Sequence, residues 1–219
     1  MSPVPSNIWI MDYRRLDRES LLEGCHALAD GDARLRELFV RNGAPPLWSR
    51  RPGFATLVQL ILEQQVSLAS AAAVYRRLRE VVDRMTPIAF LALSDDTLLS
   101  CGFSRQKTRY VRLLATNLQD KQWRLADLHR ATEDEARALL VAQIGIGPWT
   151  ADVYLLMALR HPDVWPPGDI ALIRQFEKLM PMRSIDSRRA VQRIRQWSPW
   201  RAVAARLIWH DYLIERGRA

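Results

Sequence analysis

The 219-residue sequence has little of several features that mark particular classes of protein. Its two cysteines, Cys25 and Cys101, are too few for an iron–sulfur cluster or a zinc site held by four cysteines. Both lie in apolar helical patterns, so we expect buried free thiols in a reducing compartment. No apolar run approaches the length of a membrane span. The opening MSPVPSNIWIMDYRR lacks the pattern of a signal peptide, which predicts a cytoplasmic protein, or a nuclear one in a eukaryote.

Positive charge is what the sequence has in excess. It contains 32 lysines and arginines against 24 aspartates and glutamates, which gives a net charge of +8. A surplus of this size favours polyanionic partners, and nucleic acid is the first of these to consider. Charge alone does not identify the partner, because many basic proteins bind no nucleic acid.

Helical periodicity dominates the chain, and no segment has the convincing alternation of a β-strand. The pattern predicts an all-α protein of about ten short helices. An almost wholly apolar segment at 54–67 indicates a buried helix, and an amphipathic, strongly basic one at 104–118 indicates another. A helix is expected to run from the turn near 147 to about Arg160. Capping patterns mark several helix ends: Gly43, Thr86, Ser94, and Thr132 with Glu135.

A tight turn interrupts two apolar helices in QIGIGPWTADV, residues 143–153. Gly145 and Gly147 flank Ile146, so the backbone can turn sharply while one apolar side chain anchors it. Pro148 suits the first turn of the next helix. The N–H groups of the turn then point outward together, which suits a phosphate. An ordinary corner between two helices uses the same glycines and stays an alternative.

The wider pattern resembles the helix-hairpin-helix of DNA glycosylases of the HhH-GPD superfamily. It consists of an apolar helix, G-I-G-x-x-T-A, a second apolar helix and a Gly/Pro-rich loop ending in aspartate, here VWPPGDIAL. Three other stretches resemble the 3-methyladenine DNA glycosylase II subgroup: residues 43–67, 102–115 and 197–210. The resemblance runs from about residue 30 to the C-terminus.

The resemblance implies two helical lobes with an active-site cleft between them, within a single glycosylase domain over residues 1–219. Lobe one is expected at about 1–50 plus 161–219, and lobe two at about 54–160 with the hairpin at 143–149. Larger family members carry an additional N-terminal β domain. We expect that domain to be missing here, because only about thirty residues precede the shared region.

Asp169 ends the Gly/Pro-rich loop and begins an apolar helix. From the residues alone, it is favoured as a helix N-cap. The resemblance implies that it is also the catalytic aspartate, and both roles can hold together. Breaking an N-glycosidic bond develops positive charge on the sugar, which a fixed carboxylate stabilises while it orients or deprotonates the attacking water.

Trp149 occupies the position where strand-cutting members of the superfamily have a lysine nucleophile. Indole cannot form a Schiff base, and the lysines of this chain, Lys107, Lys121 and Lys178, lie elsewhere in the pattern. The resemblance therefore implies a monofunctional enzyme that releases a base and leaves an abasic site. The four C-terminal cysteines of the iron–sulfur branch are also absent, so no cofactor is expected to be required.

The base pocket is expected to contain aromatic side chains. Trp149 and Trp209 match pocket tryptophans of the subgroup, although from the residues alone core packing explains either equally well or better. An indole face attracts a cationic purine. Val153 and His210 stand where other members of the subgroup have tyrosine, so the pocket is expected to differ there. Four further tryptophans are expected to be packing residues: Trp48, Trp165, Trp197 and Trp200.

Other residues are implied in binding DNA. Gln65 falls at the position of the side chain that fills the gap left by a flipped base, with Gln64 beside it. Ser104, Arg105 and Lys107 open a basic helix that contacts phosphates or is merely a solvated face. The resemblance adds the hairpin residues Gly145, Gly147 and Thr150. It also implies a monovalent cation held by the backbone carbonyls of Val141, Gln143 and Gly145.

These expectations combine into one hypothesis with two alternatives. The favoured function is a monomeric, monofunctional glycosylase that removes alkylated purines of the 3-methyladenine type from damaged double-stranded DNA in base excision repair. The first alternative is a non-catalytic helix-hairpin-helix module that only grips phosphates. The second, a glycosylase that also cuts the strand, is disfavoured by Trp149.

Overall fold

The computed structural model describes residues 15–180 and 188–217. Within these ranges the chain forms twelve α-helices and no β-strand, which confirms the all-α prediction. The first six are α1 (Arg18–Gly31), α2 (Ala33–Asn42), α3 (Phe54–Glu63), α4 (Leu68–Val81), α5 (Pro87–Leu91) and α6 (Asp95–Ser100). The others are α7 (Arg105–Gln119), α8 (Glu133–Val141), α9 (Pro148–Tyr154), α10 (Ile170–Leu179), α11 (Arg188–Gln196) and α12 (Arg201–Glu215).

The helix ends follow the predicted caps. The hydroxyl groups of Thr86 and Ser94 accept backbone N–H groups at the starts of α5 and α6. Thr132 and Glu135 form a reciprocal capping box at the start of α8. Gly43 ends α2 with a φ of +73°. These interactions span three or four residues, which is why the sequence pattern alone located them.

One helix ends earlier than the periodicity predicts, and another changes its winding before it ends at the predicted position. The apolar helix expected over 54–67 stops at Glu63, and the chain turns through Gln65 with a φ of +57°. The helix after the hairpin leaves α-geometry after Tyr154, continues as a π-helical turn over Leu155–Leu159 and ends at Arg160 with a φ of +60°. Apolar periodicity carries no signal for such changes in backbone winding.

The helices with the most extensive packing form two groups. Helices α1, α2, α10 and α12 pack together, and α3 packs against α4, α7 and α9. Arg206 of α12 is fully buried and donates to the carbonyls of Leu47 and Leu156, so it joins α12 to the 44–53 loop and to the chain after α9. Burial lowers the pKa of Arg206 to about 9.

The predicted lobe boundaries stay a prediction. Residues 1–14, 181–187 and 218–219 lie outside the described ranges, and so does the N-terminus that is predicted to lack a signal peptide. Cys25 and Cys101 are buried and free, as predicted, and burial raises the pKa of the Cys25 thiol to about 12.

Candidate active site

The hairpin joins α8 to α9 with two glycines that do different things. Gly145 has a φ of +90°, and a Cβ there would collide with the ring of Tyr110, so both backbone and packing require glycine. Gly147 has a φ of −84°, and a Cβ on it would meet no atom within 4 Å. The fold therefore requires Gly145, whereas Gly147 borders open space that a partner can approach.

The side chain between these glycines anchors the turn, as predicted. Ile146 is buried, and its N–H donates to the Gln143 carbonyl at 3.0 Å. Gly147 is the N-cap of α9, and no side chain caps this helix. The start of α9 therefore offers backbone N–H groups that no capping side chain occupies.

Hydrogen bonds of Gln64 connect the end of α3 to the hairpin and to Thr150. The Nε2 of Gln64 donates to the Gly145 carbonyl and to the Thr150 hydroxyl, each at 2.8 Å. Thr150 is almost fully buried. Both side chains are thus engaged inside the protein, and their contacts with DNA stay a prediction.

The start of α7 carries two residues expected to contact DNA, Ser104 and Lys107, and both form hydrogen bonds within the protein. Ser104 caps the helix by accepting the N–H of Lys107 at 3.2 Å. The Lys107 ammonium donates to the carbonyls of Leu62 and Gln64 at 2.7 and 3.0 Å, and burial lowers its pKa. Lys107 therefore donates to backbone carbonyls at the C-terminal end of α3, where carbonyls lack partners within the helix. Arg105 remains exposed at this end of α7.

Gln65, by contrast, is fully presented to solvent. It lies at the tip between α3 and α4 in the left-handed region of backbone space, which is uncommon for a side chain other than glycine or asparagine. Its neighbour Val66 is 47% exposed and Leu68 is 65% exposed. The tip thus projects one amide and two apolar side chains from the protein.

The three carbonyls predicted to hold a cation are partly engaged. The Gln143 carbonyl accepts the Ile146 N–H, and the Gly145 carbonyl accepts Gln64. A carbonyl oxygen has two lone pairs, so each of these can still offer one. The cation at Val141, Gln143 and Gly145 stays a prediction.

Asp169 is held by three hydrogen bonds at the start of α10. Its Oδ1 accepts the backbone N–H of Leu172 at 2.8 Å, which confirms the N-cap, and the indole N–H of Trp209 at 3.0 Å. Its Oδ2 accepts the indole N–H of Trp149, also at 3.0 Å. The two predicted pocket tryptophans therefore meet the predicted catalytic carboxylate, although they lie 20 and 40 positions away from it.

Asp169 forms part of the wall of a cavity of about 400 Å³ between the two groups of helices. Apolar and aromatic side chains make up most of its lining, with a few polar groups. The lining residues are Trp48, Ser49, Arg50, Glu63, Leu68, Trp149, Val153, Met157, Asp169, Ala171, Trp209, Tyr212 and Leu213. Such a concave, mostly apolar site with a few convergent polar groups is typical of a small-ligand pocket.

The cavity includes most, but not all, of the predicted base-pocket residues. Trp149, Val153 and Trp209 line it. His210 does not, since it is buried with its ring 6.2 Å from that of Trp48, in an edge-on arrangement. Burial lowers the pKa of His210. The adjacent helix positions 209 and 210 point to different sides of α12, so only the tryptophan reaches the cavity.

Trp48 lines the cavity although its sequence position suggested packing. It has a φ of +44°, a conformation that is unusual for a bulky residue. It lies in a proline-rich loop without periodicity, so no pattern in the sequence indicates its direction. The Arg206 bond to the neighbouring Leu47 carbonyl helps to hold this loop.

Arg50 and Glu63 form an ion pair in the cavity wall. The shortest N–O distance is 3.0 Å, and the two side chains are 25% and 13% exposed. Glu63 is the only charged residue of the otherwise largely apolar α3. That isolated carboxylate is the signal by which sequence reasoning could have found it.

In the described ranges no helix is long and apolar enough to span a membrane. The same ranges contain no cluster of three or more histidine, cysteine or acidic side chains placed to bind a metal ion.

Comparison with known families identifies the chain. Residues 58–200 match the HhH-GPD superfamily, described as base excision DNA repair proteins. The chain belongs to the HhH-GPD superfamily. The matched segment contains the hairpin and Asp169, whereas Trp48 and Trp209 lie outside it.

Individual relatives are distant in sequence. The chain is 30% identical to the probable bifunctional transcriptional activator/DNA repair enzyme AlkA of Mycobacterium tuberculosis, in an alignment covering 95% of this chain and 46% of that protein. It is 28% identical to DNA-3-methyladenine glycosylase 2 of Escherichia coli, covering 78% and 63%. It therefore spans about half the length of the mycobacterial relative.

Solved structures share the HhH-GPD architecture. A DNA-3-methyladenine glycosidase from Bacillus halodurans is 25% identical, with a TM-score of 0.77 over 89% of this chain and 91% of that one. The Schizosaccharomyces pombe 3-methyladenine DNA glycosylase Mag1, solved with abasic DNA, has a TM-score of 0.75 over 85% and 95%. At 22% identity, the latter likeness concerns the fold alone.

Proposed function

We propose that this HhH-GPD protein is a monofunctional DNA glycosylase that hydrolyses the N-glycosidic bond of alkylated purines, of the 3-methyladenine type, in duplex DNA. The observation that carries the proposal is the Asp169 carboxylate, held by two indole N–H groups in the wall of a cavity of about 400 Å³. The names of the E. coli and B. halodurans relatives support the choice of lesion.

The hydrogen bonds of Asp169 suit a carboxylate that must stabilise positive charge. Because both oxygens are held before the reaction begins, little reorganisation is needed when charge develops on the sugar. Oδ1 accepts two hydrogen bonds and Oδ2 accepts one. Oδ2 therefore has more free lone-pair capacity, and we assign to it the contact with the sugar or the attacking water.

The cavity wall suits a cationic, electron-poor base. Trp48, Trp149 and Trp209 bring aromatic surface to it, and a cation–π contact contributes about 0.5–2 kcal/mol. Among the charged lining residues, the carboxylates of Glu63 and Asp169 outnumber the single guanidinium of Arg50. A purine alkylated on a ring nitrogen is already cationic and departs as a neutral base, so the reaction needs no strong general acid.

The lysines support base release without strand cleavage. Trp149 stands at the position of the lyase lysine, and the cavity lining contains no lysine. Lys107 is bonded to backbone carbonyls and Lys178 pairs with Glu215 at 2.6 Å. Lys121 is exposed beyond the end of α7. A Schiff-base intermediate therefore has no amine at the proposed site.

DNA binding is assigned to the hairpin and to the tip at Gln65. The uncapped start of α9 binds a phosphate, with a monovalent cation at the hairpin carbonyls as a further expected ligand. Gln65 fills the gap left by the flipped nucleotide, whose unstacking costs a few kcal/mol. One chain supplies every group of this site, so we expect a monomer to act, in the nucleoid of a bacterium or the nucleus of a eukaryote.

Base release decides the proposal. The protein is incubated with duplexes carrying 3-methyladenine, 7-methylguanine, ethenoadenine or hypoxanthine, and the free base is measured by chromatography. We expect release of at least the cationic bases by the native protein and not by Asp169→Asn. Strand breaks are expected only after alkali, and breaks without alkali would show lyase activity instead.

The alternative is a non-catalytic module that uses the hairpin only to grip DNA. It predicts equal duplex binding by the native protein and by Asp169→Asn, with no base released from any lesion. The half-buried carboxylate favours the enzyme, because phosphate binding at the hairpin needs no acid in a cavity beside it.

A further inference from the structure

Two further cavities continue from the base cavity along α3 and α4. The nearer one, of about 300 Å³, shares Arg50 and Glu63 with the base cavity. The farther one, of about 550 Å³, shares Arg50, Gln59 and Tyr75 with the nearer one and reaches Phe54 at the start of α3. The three cavities therefore lie next to one another and share lining residues.

Positive charge is concentrated in the outer two cavities. We call this region the arginine groove, and its charged residues are Arg50, Arg51, Arg76, Arg79, Arg84, Glu63 and Asp83. Glu63 pairs with Arg50. The other four arginines are exposed and form no ion pair within the part of the chain that the structure describes.

Three arginines outside the groove illustrate the paired alternative. Arg137, Arg193 and Arg201 each pair with a carboxylate, at N–O distances of 2.6 to 2.9 Å. The four unpaired arginines share the groove with one further carboxylate, Asp83, so positive charge remains in excess there and an added anion reduces the repulsion between the arginines. The groove therefore fits an extended anionic ligand better than it fits solvent alone.

We propose that the arginine groove binds the phosphates of the DNA strand that flanks the flipped nucleotide, as a second contact surface apart from the hairpin. This rests on the proposed glycosylase function. The ten residues of α3 extend about 15 Å at roughly 1.5 Å per residue. Each strand of DNA carries one phosphate per about 3.4 Å of helix axis, so about four phosphates of one strand fall within that length of axis.

The chemistry and position of the groove support this occupant over a free anion. Guanidinium groups bind phosphate oxygens through paired N–H donors. The groove opens from the cavity that is proposed to take the flipped base, through the shared Arg50. A strand with one nucleotide in that cavity must place its neighbouring phosphates at the cavity's mouth.

The test compares two double variants. Arg76→Gln with Arg79→Gln removes two groove charges from α4. Arg18→Gln with Arg130→Gln removes two exposed arginines that line none of these cavities and form no ion pair in the described ranges. Binding is measured on a long duplex with a central reduced abasic site, which has no base to release.

We expect the groove variant to lower the slope of log affinity against log salt by about 1.8, since each lost phosphate contact removes about 0.9. Its affinity should fall about tenfold at moderate salt, and the control should change little. Two more duplexes carry the abasic site near one end or the other. The groove variant should lose affinity only for the duplex whose DNA extends along the groove.

A slope change no larger than the control's would overturn the proposal and leave an acidic protein segment as the occupant to test. So would an equal loss on both end-placed duplexes, because a directional groove contacts one flank only. Neither result depends on base release, so failure of the groove is distinguishable from failure of the glycosylase assignment.

Discussion

The hairpin and the base cavity are adjacent but are built in different ways. The hairpin is one continuous stretch whose shape depends on a positive φ at Gly145 and a proline at the start of α9. The cavity instead brings together Trp48, Glu63, Asp169 and Trp209 from separate parts of the chain. A local backbone feature thus serves the proposed DNA grip, whereas long-range packing assembles the proposed chemistry.

The two regions meet at α9. Gly147 caps the helix at the hairpin, and two residues later Trp149 donates to Asp169. Gln64 joins the Gly145 carbonyl to the end of α3, whose Glu63 lines the cavity. Changes in one region can therefore reach the other, and the variants below test how far they are separable.

Asp169 offers the largest expected effect. Asparagine keeps an oxygen for the N-cap but loses the charge, so Asp169→Asn should lower single-turnover base release by a factor of about 100 to 1,000. Its amide NH2 faces one indole N–H, which should cost about 1–3 kcal/mol of stability, and Asp169→Ala should lose the same activity and at least as much stability. A rate within threefold of the native protein for Asp169→Asn would remove the carboxylate from the mechanism.

Substitutions of the two hairpin glycines test the hairpin, whose shape depends on local backbone geometry. Gly145→Ala forces a side chain into a left-handed backbone and against Tyr110, so we expect a loss of about 1–3 kcal/mol in the free energy of unfolding. Gly147→Ala meets open space and should leave stability nearly unchanged while weakening duplex binding. Urea unfolding and fluorescence anisotropy measure the two effects. Equal destabilisation by both changes would contradict the distinction.

Substitutions of Trp149 and Trp209 test the base cavity, which is built by long-range packing. Trp149→Phe and Trp209→Phe keep an aromatic ring but remove the donor to Asp169, so each should lower kcat for base release about tenfold, the low end for a hydrogen bond to a charged group. Duplex binding should change little, since the hairpin is intact. A matched control is Trp123→Phe, a buried tryptophan whose indole nitrogen has no hydrogen-bond partner within the described chain.

Glu63 gives the smallest expected effect. Glu63→Gln preserves shape and removes one negative charge from the cavity, so release of cationic 7-methylguanine should fall about fivefold relative to neutral hypoxanthine, equivalent to roughly 1 kcal/mol of charge attraction. Using the ratio of the two substrates cancels any general loss from leaving Arg50 unpaired. An unchanged ratio would show that Glu63 serves only to hold Arg50.

Features that depend on a few consecutive residues could be predicted from the sequence alone. Helix caps such as Thr132 with Glu135, the tight turn at Gly145 and the N-cap position of Asp169 all follow from backbone geometry within one turn of chain. The all-α class followed from apolar periodicity, which reports one-sided burial of a helix without reference to its partners. Membership of the superfamily was predicted from the hairpin motif together with the Gly/Pro-rich loop that ends in Asp169.

Which side chains face the cavity depends on the tertiary structure. Trp48 lies in the lining and His210 outside it, and Lys107 and Gln64 form hydrogen bonds within the protein. These outcomes depend on contacts between segments about 40 to 160 positions apart. A buried polar group needs a hydrogen-bond partner, and packing between distant segments determines which group is close enough. The periodicity of the sequence does not indicate which residue that partner is.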